Sequence, residues 1–331
     1  MNPCLRRRSA ASLLAAGLLA PWSLQAQAQQ PAWPAAKPIR ILVAYPAGGI
    51  SDSVSRALAE KLAAQLGTPV VVENRAGAGG SVGMDAVAKA APDGHTIGFS
   101  SISPLALNPH LTKVNYDPVK DIAPVASVMY TPVLVVGTPA FEGRDFRDLL
   151  AQAKAKPGSM RWGTSGLATV GHMVLEQVKA AAHVDITHIP YKGGGQQLTD
   201  ALSGQFEILS TNVGLAQMQY VQAGKFKPLA VGAPARLDGL PGVPTLSELG
   251  FARANLTSLF GFFAPGRTPE PILARLNAEI NKALQQPDIR NRLLGSDNVP
   301  MGGSAAEFAR QIATESESNA RIIKAVGIKA E

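Results

Sequence analysis

The chain has 331 residues, 46% of them hydrophobic and 17% charged, with a formal charge of +7. About 300 residues beyond any leader is the length of two domains rather than one, and the apolar fraction suffices for two cores. No cluster of Lys and Arg forms the stripe a nucleic-acid binder needs. The one cysteine, Cys4, leaves everything after it without disulfides, thiolate catalysis or cysteine-ligated metal.

The first segment reads as an export signal. Arg6-Arg7-Arg8 precede an apolar run over residues 10–20, and Ala26-Gln27-Ala28 is a small-residue cleavage site, so residues 1–28 are expected to be removed. The run falls short of the about 20 residues of a membrane span, and no second long apolar segment follows. A soluble periplasmic protein is therefore expected. Arg7-Arg8 fits the twin-arginine route, but the following SAAS lacks its bulky apolar pair, and the general route stays open. Cleavage takes away three arginines and no acids, lowering the charge from +7 to +4.

Short β-branched runs then alternate with amphipathic helical stretches, the pattern of an α/β fold with largely parallel sheets. A strand over residues 39–45 is followed by a glycine turn and a helix beginning near Ser51 or Asp52. Its apolar stripe is Val54, Leu58, Leu62 and Leu66, and Gly67 ends it. A strand over 70–73, the loop NRAGAGG and a helix carrying Val82, Ala86 and Val87 come next, then a strand over 96–100. The run PVLVVG (132–137) is a strand, and a helix spans 145–155. The strand 161–163, a Thr-Ser-Gly turn and a helix with Val170, Val174 and Val178 on one face repeat the opening layout. Strands are expected over 185–190, 206–210, 228–232 and 259–264. The C-terminal part is helical: Thr268 is read as an N-cap with Pro269 at the first helical position, and Ser304 to Glu307 as a capping box.

Two strand–glycine turn–helix units thus lie in separate parts of the chain. In a doubly wound sheet such turns sit at the carboxyl edge of the strands, where ligands bind. The turn Pro46 to Asp52 offers glycines that admit close approach and unpaired helix amides that attract a carboxylate as readily as a phosphate. The turn Gly163-Thr164-Ser165-Gly166, with Thr169 and His172, adds hydroxyls. Gly-Thr-Ser-Gly is not G-x-S-x-G, because Leu167 stands at the last position. In the segment Gly77 to Gly83, Val82 occupies the third glycine position of a dinucleotide fingerprint. The five histidines are scattered, none spaced as a metal pair, and no carboxylate pair suits acid–base work. No enzyme, metal or cofactor is expected.

Co-linear segments across the chain, among them KPIRILVAYPAGGISDSVSR, VVVENRAGAGGSVGMDAVAKAAPDGHT, WGTSGLATVGHM, IPYKGGGQQLTDALSGQ and FGFFAPGRTPEPILARLNAEINKAL, resemble the Bug family, the extracytoplasmic solute receptors of tripartite tricarboxylate transporters. The resemblance runs from about Lys37 to the C-terminus. It implies a type II periplasmic binding protein fold: two α/β domains, residues 29–133 with 256–331 and residues 134–255, with a ligand cleft between them. Carried over by position, it implicates Ala47, Gly48, Gly49, Ser51 and Asp52 on one side, facing Thr164, Ser165, Gly166, Thr169 and His172. Gly80, Ser81, Ser101, Ser103, Tyr191 and Gly193 are expected as walls, with no catalytic residue. The implied partners are a small organic carboxylate and the integral-membrane subunits of a transporter, or alternatively the ectodomain of a sensor kinase; a monomer is expected. An exported enzyme using Ser165 or Lys192 is the least favoured alternative. Residues 209–212 (LSTN) depart from the acidic or aromatic residue frequent in relatives, which leaves the ligand-selecting wall open. Arg75 could meet a second carboxylate or simply pair with Glu73.

Overall fold

In the computed structural model, residues 33–34 and 37–328 are described; the export segment expected over 1–28 lies outside them. β1 (Ile39–Val43), α1 (Ile50–Leu66), β2 (Val70–Asn74), α2 (Ser81–Ala88) and β3 (Thr96–Ser101) open the chain, followed by the short helices α3 (Ser103–Ala106) and α4 (Asn108–Leu111). Then β4 (Ile122–Gly137), α5 (Phe146–Ala155), β5 (Arg161–Thr164), α6 (Val170–Ala182), β6 (Thr187–Pro190), α7 (Gly194–Leu202), β7 (Ile208–Asn212), α8 (Leu215–Gln222) and β8 (Lys227–Gly232) follow. The chain returns through β9 (Thr257–Pro265), α9 (Glu270–Leu284), α10 (Pro287–Leu294), the two-residue β10 (Val299–Pro300) and α11 (Ala305–Val326).

The strands form one path, β2-β1-β3-β9-β4-β7-β5-β6, with β8 and β10 also paired to β4. The sixteen-residue β4 organises it. Its first part pairs antiparallel with β9 as far as Pro132 opposite Thr257, and from Val133 onward it pairs with β7 and β8. The hand-over falls at a proline, which has no N–H to donate to a ladder. The outer strands on each side (β1 with β2 and β3; β5 with β6 and β7) are parallel, whereas everything touching β4 or β9 is antiparallel. The largely parallel sheet expected from the sequence is therefore mixed at its centre.

Helices cover both faces of each part. Val54, Leu58 and Leu62 of α1 are at most 1% exposed and pack with Leu276, Ile280 and Leu284 of α9 over Ile41, Val43 and Phe99. Each such burial stabilises by roughly 1.5–3 kcal/mol. On the other side Trp162, Val174, Val178 and Phe146 build a second core beneath α5 and α6. Gly67 ends α1 in the left-handed conformation (φ 65°), and the Ser304–Glu307 capping box opens α11. Thr268, by contrast, is not an N-cap. Its hydroxyl donates to the Pro265 carbonyl, and α9 starts at Glu270 with Pro269 before it.

Candidate ligand-binding cleft

Where β1 ends, the chain turns through Pro46 to Gly49, and Gly48 takes a φ of 82° that only glycine adopts freely. Its N–H donates to Asp52 Oδ2 (3.0 Å), and Arg56 Nε donates to Asp52 Oδ1 (3.0 Å). Burial pushes the Asp52 carboxyl up, but the hydrogen bonds from Arg56 and Gly48 and the Arg56 charge together hold it below its usual value. Asp52 thus staples the turn from behind. Gly49, the N-cap of α1, has no side chain with which to satisfy the first helix amides, so those of Ile50 and Ser51 have no side-chain cap.

The second turn is built alike after β5. Thr164 is fully buried; its hydroxyl donates to the Gly166 carbonyl (3.1 Å) and lies 2.7 Å from His188 Nε2. Thr169 caps α6, accepting the His172 N–H and donating to the Gly166 carbonyl. The His172 ring stacks on His188, centroids 4.3 Å apart, and its Nδ1 accepts the Ala168 N–H. Burial, then the charges of His172 and Lys179, push the His188 pKa down to about 3, so it stays neutral. Both histidines support the turn rather than line the cavity.

These turns face one cavity of about 80 Å³. At roughly 10–15 Å³ per water it has room for about five to eight waters, the scale of a short organic acid. Of the sixteen expected residues, Gly48, Gly49, Ser51, Ser101, Ser103, Ser165 and Thr169 line it. The other nine stand behind or beside it. Ala47 lies near Gly195 across the gap, and Gly166 approaches the Tyr191 carbonyl and Gly79. Gly80 packs on Tyr45 and Pro104, and Ser81 accepts from Asn108. Tyr191 donates to Asp200, and Gly193 abuts Pro46. Arg75 pairs with Glu73 at 2.7 Å.

Other lining groups carried no motif. Gly194 and Gly195 open α7, and Val170 and Gly171 open α6. Gln217 lies in the first turn of α8, Asn212 ends β7, and Ser258 and Phe260 come from β9. Only the flagged segment 209–212 hinted at this wall. No charged side chain appears among the described lining residues, yet four helices (α1, α6, α7 and α8) begin there. A helix N-terminus carries roughly half a positive charge, so these ends favour an anion, although Asp52 in the first turn of α1 offsets part of that helix's contribution. Among the described residues no cluster of His, Cys, Asp or Glu could hold a metal ion, and no helix is long and apolar enough to cross a membrane.

Residues 54–328 match the family described as the tripartite tricarboxylate transporter family receptor. The protein BugT of Bordetella pertussis is 34% identical over 296 residues, 89% of this chain and 90% of the relative. A protein of Cupriavidus necator is 34% identical over 322 residues, 96% and 95% of the two chains. Among solved structures, the periplasmic binding protein BugD superposes with a TM-score of 0.84 at 26% identity, covering 89% of this chain and 99% of that one. An R. palustris protein solved with adipate gives 0.85 at 29% (90% and 100% covered), and MatC from Rhodopseudomonas palustris with bound malate gives 0.82 at 28% (87% and 99%). With a periplasmic-binding-protein fold and matches over nearly its whole described length, the chain belongs to the tripartite tricarboxylate transporter receptors, solute-binding proteins of the Bug type.

Proposed function

We propose that this receptor captures a small carboxylate in the cleft between residues 29–133 with 256–331 on one side and 134–255 on the other, and delivers it to the membrane subunits of a tripartite transporter without chemical change. It does so in the periplasm, after removal of residues 1–28. The observation that carries this reading is the convergence of four helix N-termini on a cavity with no charged side chain among its described lining residues. An anion is the ligand such a site favours, and backbone amides with the Ser51, Ser103 and Ser165 hydroxyls supply its hydrogen bonds, each worth roughly 1.5–3 kcal/mol when the acceptor is charged. The adipate and malate in the two R. palustris structures support the same ligand class.

Thermal melting of residues 29–331 against small carboxylates and their matched amides tests it. A ligand at a hundred times its Kd adds about 2.7 kcal/mol, which raises the Tm by about 5 °C in a chain of this size. An acid that stabilises where its amide does not is the expected result. Stabilisation by neutral or cationic compounds alone would refute the carboxylate reading.

A further inference from the structure

The floor of the cleft lies where β4 passes from β9 to β7, with Asn212 at the end of β7 opposite Val133. Ser258 Oγ donates to Asn212 Oδ1 at 2.8 Å. The oxygen is thereby used, and Nδ2 is left with two N–H donors and no protein acceptor among the described residues. No carboxylate lines the cavity among the described residues, and the acid of the first turn, Asp52, is already engaged by Arg56 and Gly48. An ammonium group on the ligand would meet four positive helix ends and no counter-charge, and a buried charge without a partner is strongly penalised. An oxygen on the ligand would meet a waiting donor.

We propose that Asn212 is a specificity-determining residue: the end of the ligand that reaches the floor presents an oxygen acceptor, whether hydroxyl, keto or carboxylate, and not an amine. This rests on the carboxylate-receptor reading above. The chain is thereby a receptor for hydroxy-, oxo- or dicarboxylic acids and rejects the corresponding amino acids.

Matched pairs that differ only in oxygen or nitrogen test it: glycolate and glycine, 4-hydroxybutyrate and 4-aminobutyrate, malate and aspartate. Binding of each pair is measured by calorimetry to the wild type, Asn212→Asp and Asn212→Ala. The wild type is expected to bind the oxygen member at least tenfold more tightly. Asn212→Asp keeps the acceptor for Ser258, so the floor stays in place; it is expected to lose at least tenfold for the oxygen member and to gain measurable binding of the amine. Asn212→Ala is expected to lose the first without gaining the second. Equal binding of both members by the wild type, or an unchanged ratio in Asn212→Asp, overturns the assignment while leaving the carboxylate reading intact. If no acid of either series binds and only neutral or cationic compounds do, the carboxylate reading fails and the assignment falls with it.

Discussion

Acid sensitivity offers a quantitative test of how the second turn is held. His188 is buried against His172 and beside the Thr164 hydroxyl, and its pKa falls from 6.5 to about 3. Between those two values the unfolded chain binds a proton that the folded chain refuses. Stability from this site is therefore complete above pH 6.5, declines as the pH falls below that, and levels off near pH 3. At pH 4 the loss is about 3 kcal/mol, from roughly 2.5 pH units at 1.36 kcal/mol each. His188→Gln places an amide where Nε2 stood, keeping a partner for Thr164 but removing the titration. The substitution costs stability at every pH through the lost ring stack, so only the pH dependence is diagnostic. Urea unfolding at pH 7 and pH 4 is expected to show the wild type losing about 3 kcal/mol more than His188→Gln over that interval. Parallel losses would mean that His188 is not held neutral by its burial, and the description of the turn would be wrong.

Three further outcomes follow from the same geometry. Ser165→Ala removes a hydroxyl at the cleft and is expected to weaken carboxylate binding about tenfold or more by calorimetry, with the unliganded Tm unchanged. Gly193 has a φ of 145° and abuts Pro46 Cδ, so Gly193→Val is expected to strain its loop, hold the two turns apart and weaken binding of any acid by more than tenfold; unchanged affinity would exclude that contact from the bound form. Ser304→Ala opens the capping box of α11 and is expected to cost about 1 kcal/mol in urea unfolding, without effect on ligand affinity.

The elements that local chemistry dictates were legible in the sequence. The Val54–Leu66 stripe with its terminal Gly67 and the Ser304 capping box depend on neighbours three or four residues away, and they stand where periodicity put them. The first part of β4 was missed because Pro124 and Pro132 interrupt its pattern. Tertiary pairing keeps it a strand: the register shifts at Pro124/Ala126, and at Pro132 the ladder changes partners. Thr268 has the composition of a cap, but its hydroxyl finds the Pro265 carbonyl first. In the cleft, glycine and serine turns at strand ends announced themselves. Asn212, Gln217 and Ser258 did not, since each becomes a wall only when β7, α8 and β9 meet at the seam. His172 shows the converse. The resemblance implied it as a ligand contact, while by its place in the helix it could equally be a core histidine, and α6 turns its ring onto His188.

The distribution of the helix ends bears on why a receptor would be built without an arginine. One positive end, that of α1, stands on one side of the cleft, and those of α6, α7 and α8 stand on the other. Facing ends of like sign repel, and that repulsion is opposed by the apolar cluster of Leu107, Ala168, Met173 and Ile328 and by the close backbone approaches at Pro46–Gly193 and Gly79–Leu167. An anion between them reverses the sign of the interaction, because each half is then attracted to the same charge. An Arg–carboxylate pair across the seam would hold the halves together with or without ligand, and a buried arginine would bear its own desolvation penalty when the site is empty. Dipole ends bear less of it, being fixed by their helices and carrying only partial charge. On the carboxylate-receptor reading proposed above, the ligand itself would supply the electrostatic link between the two sides of the cleft.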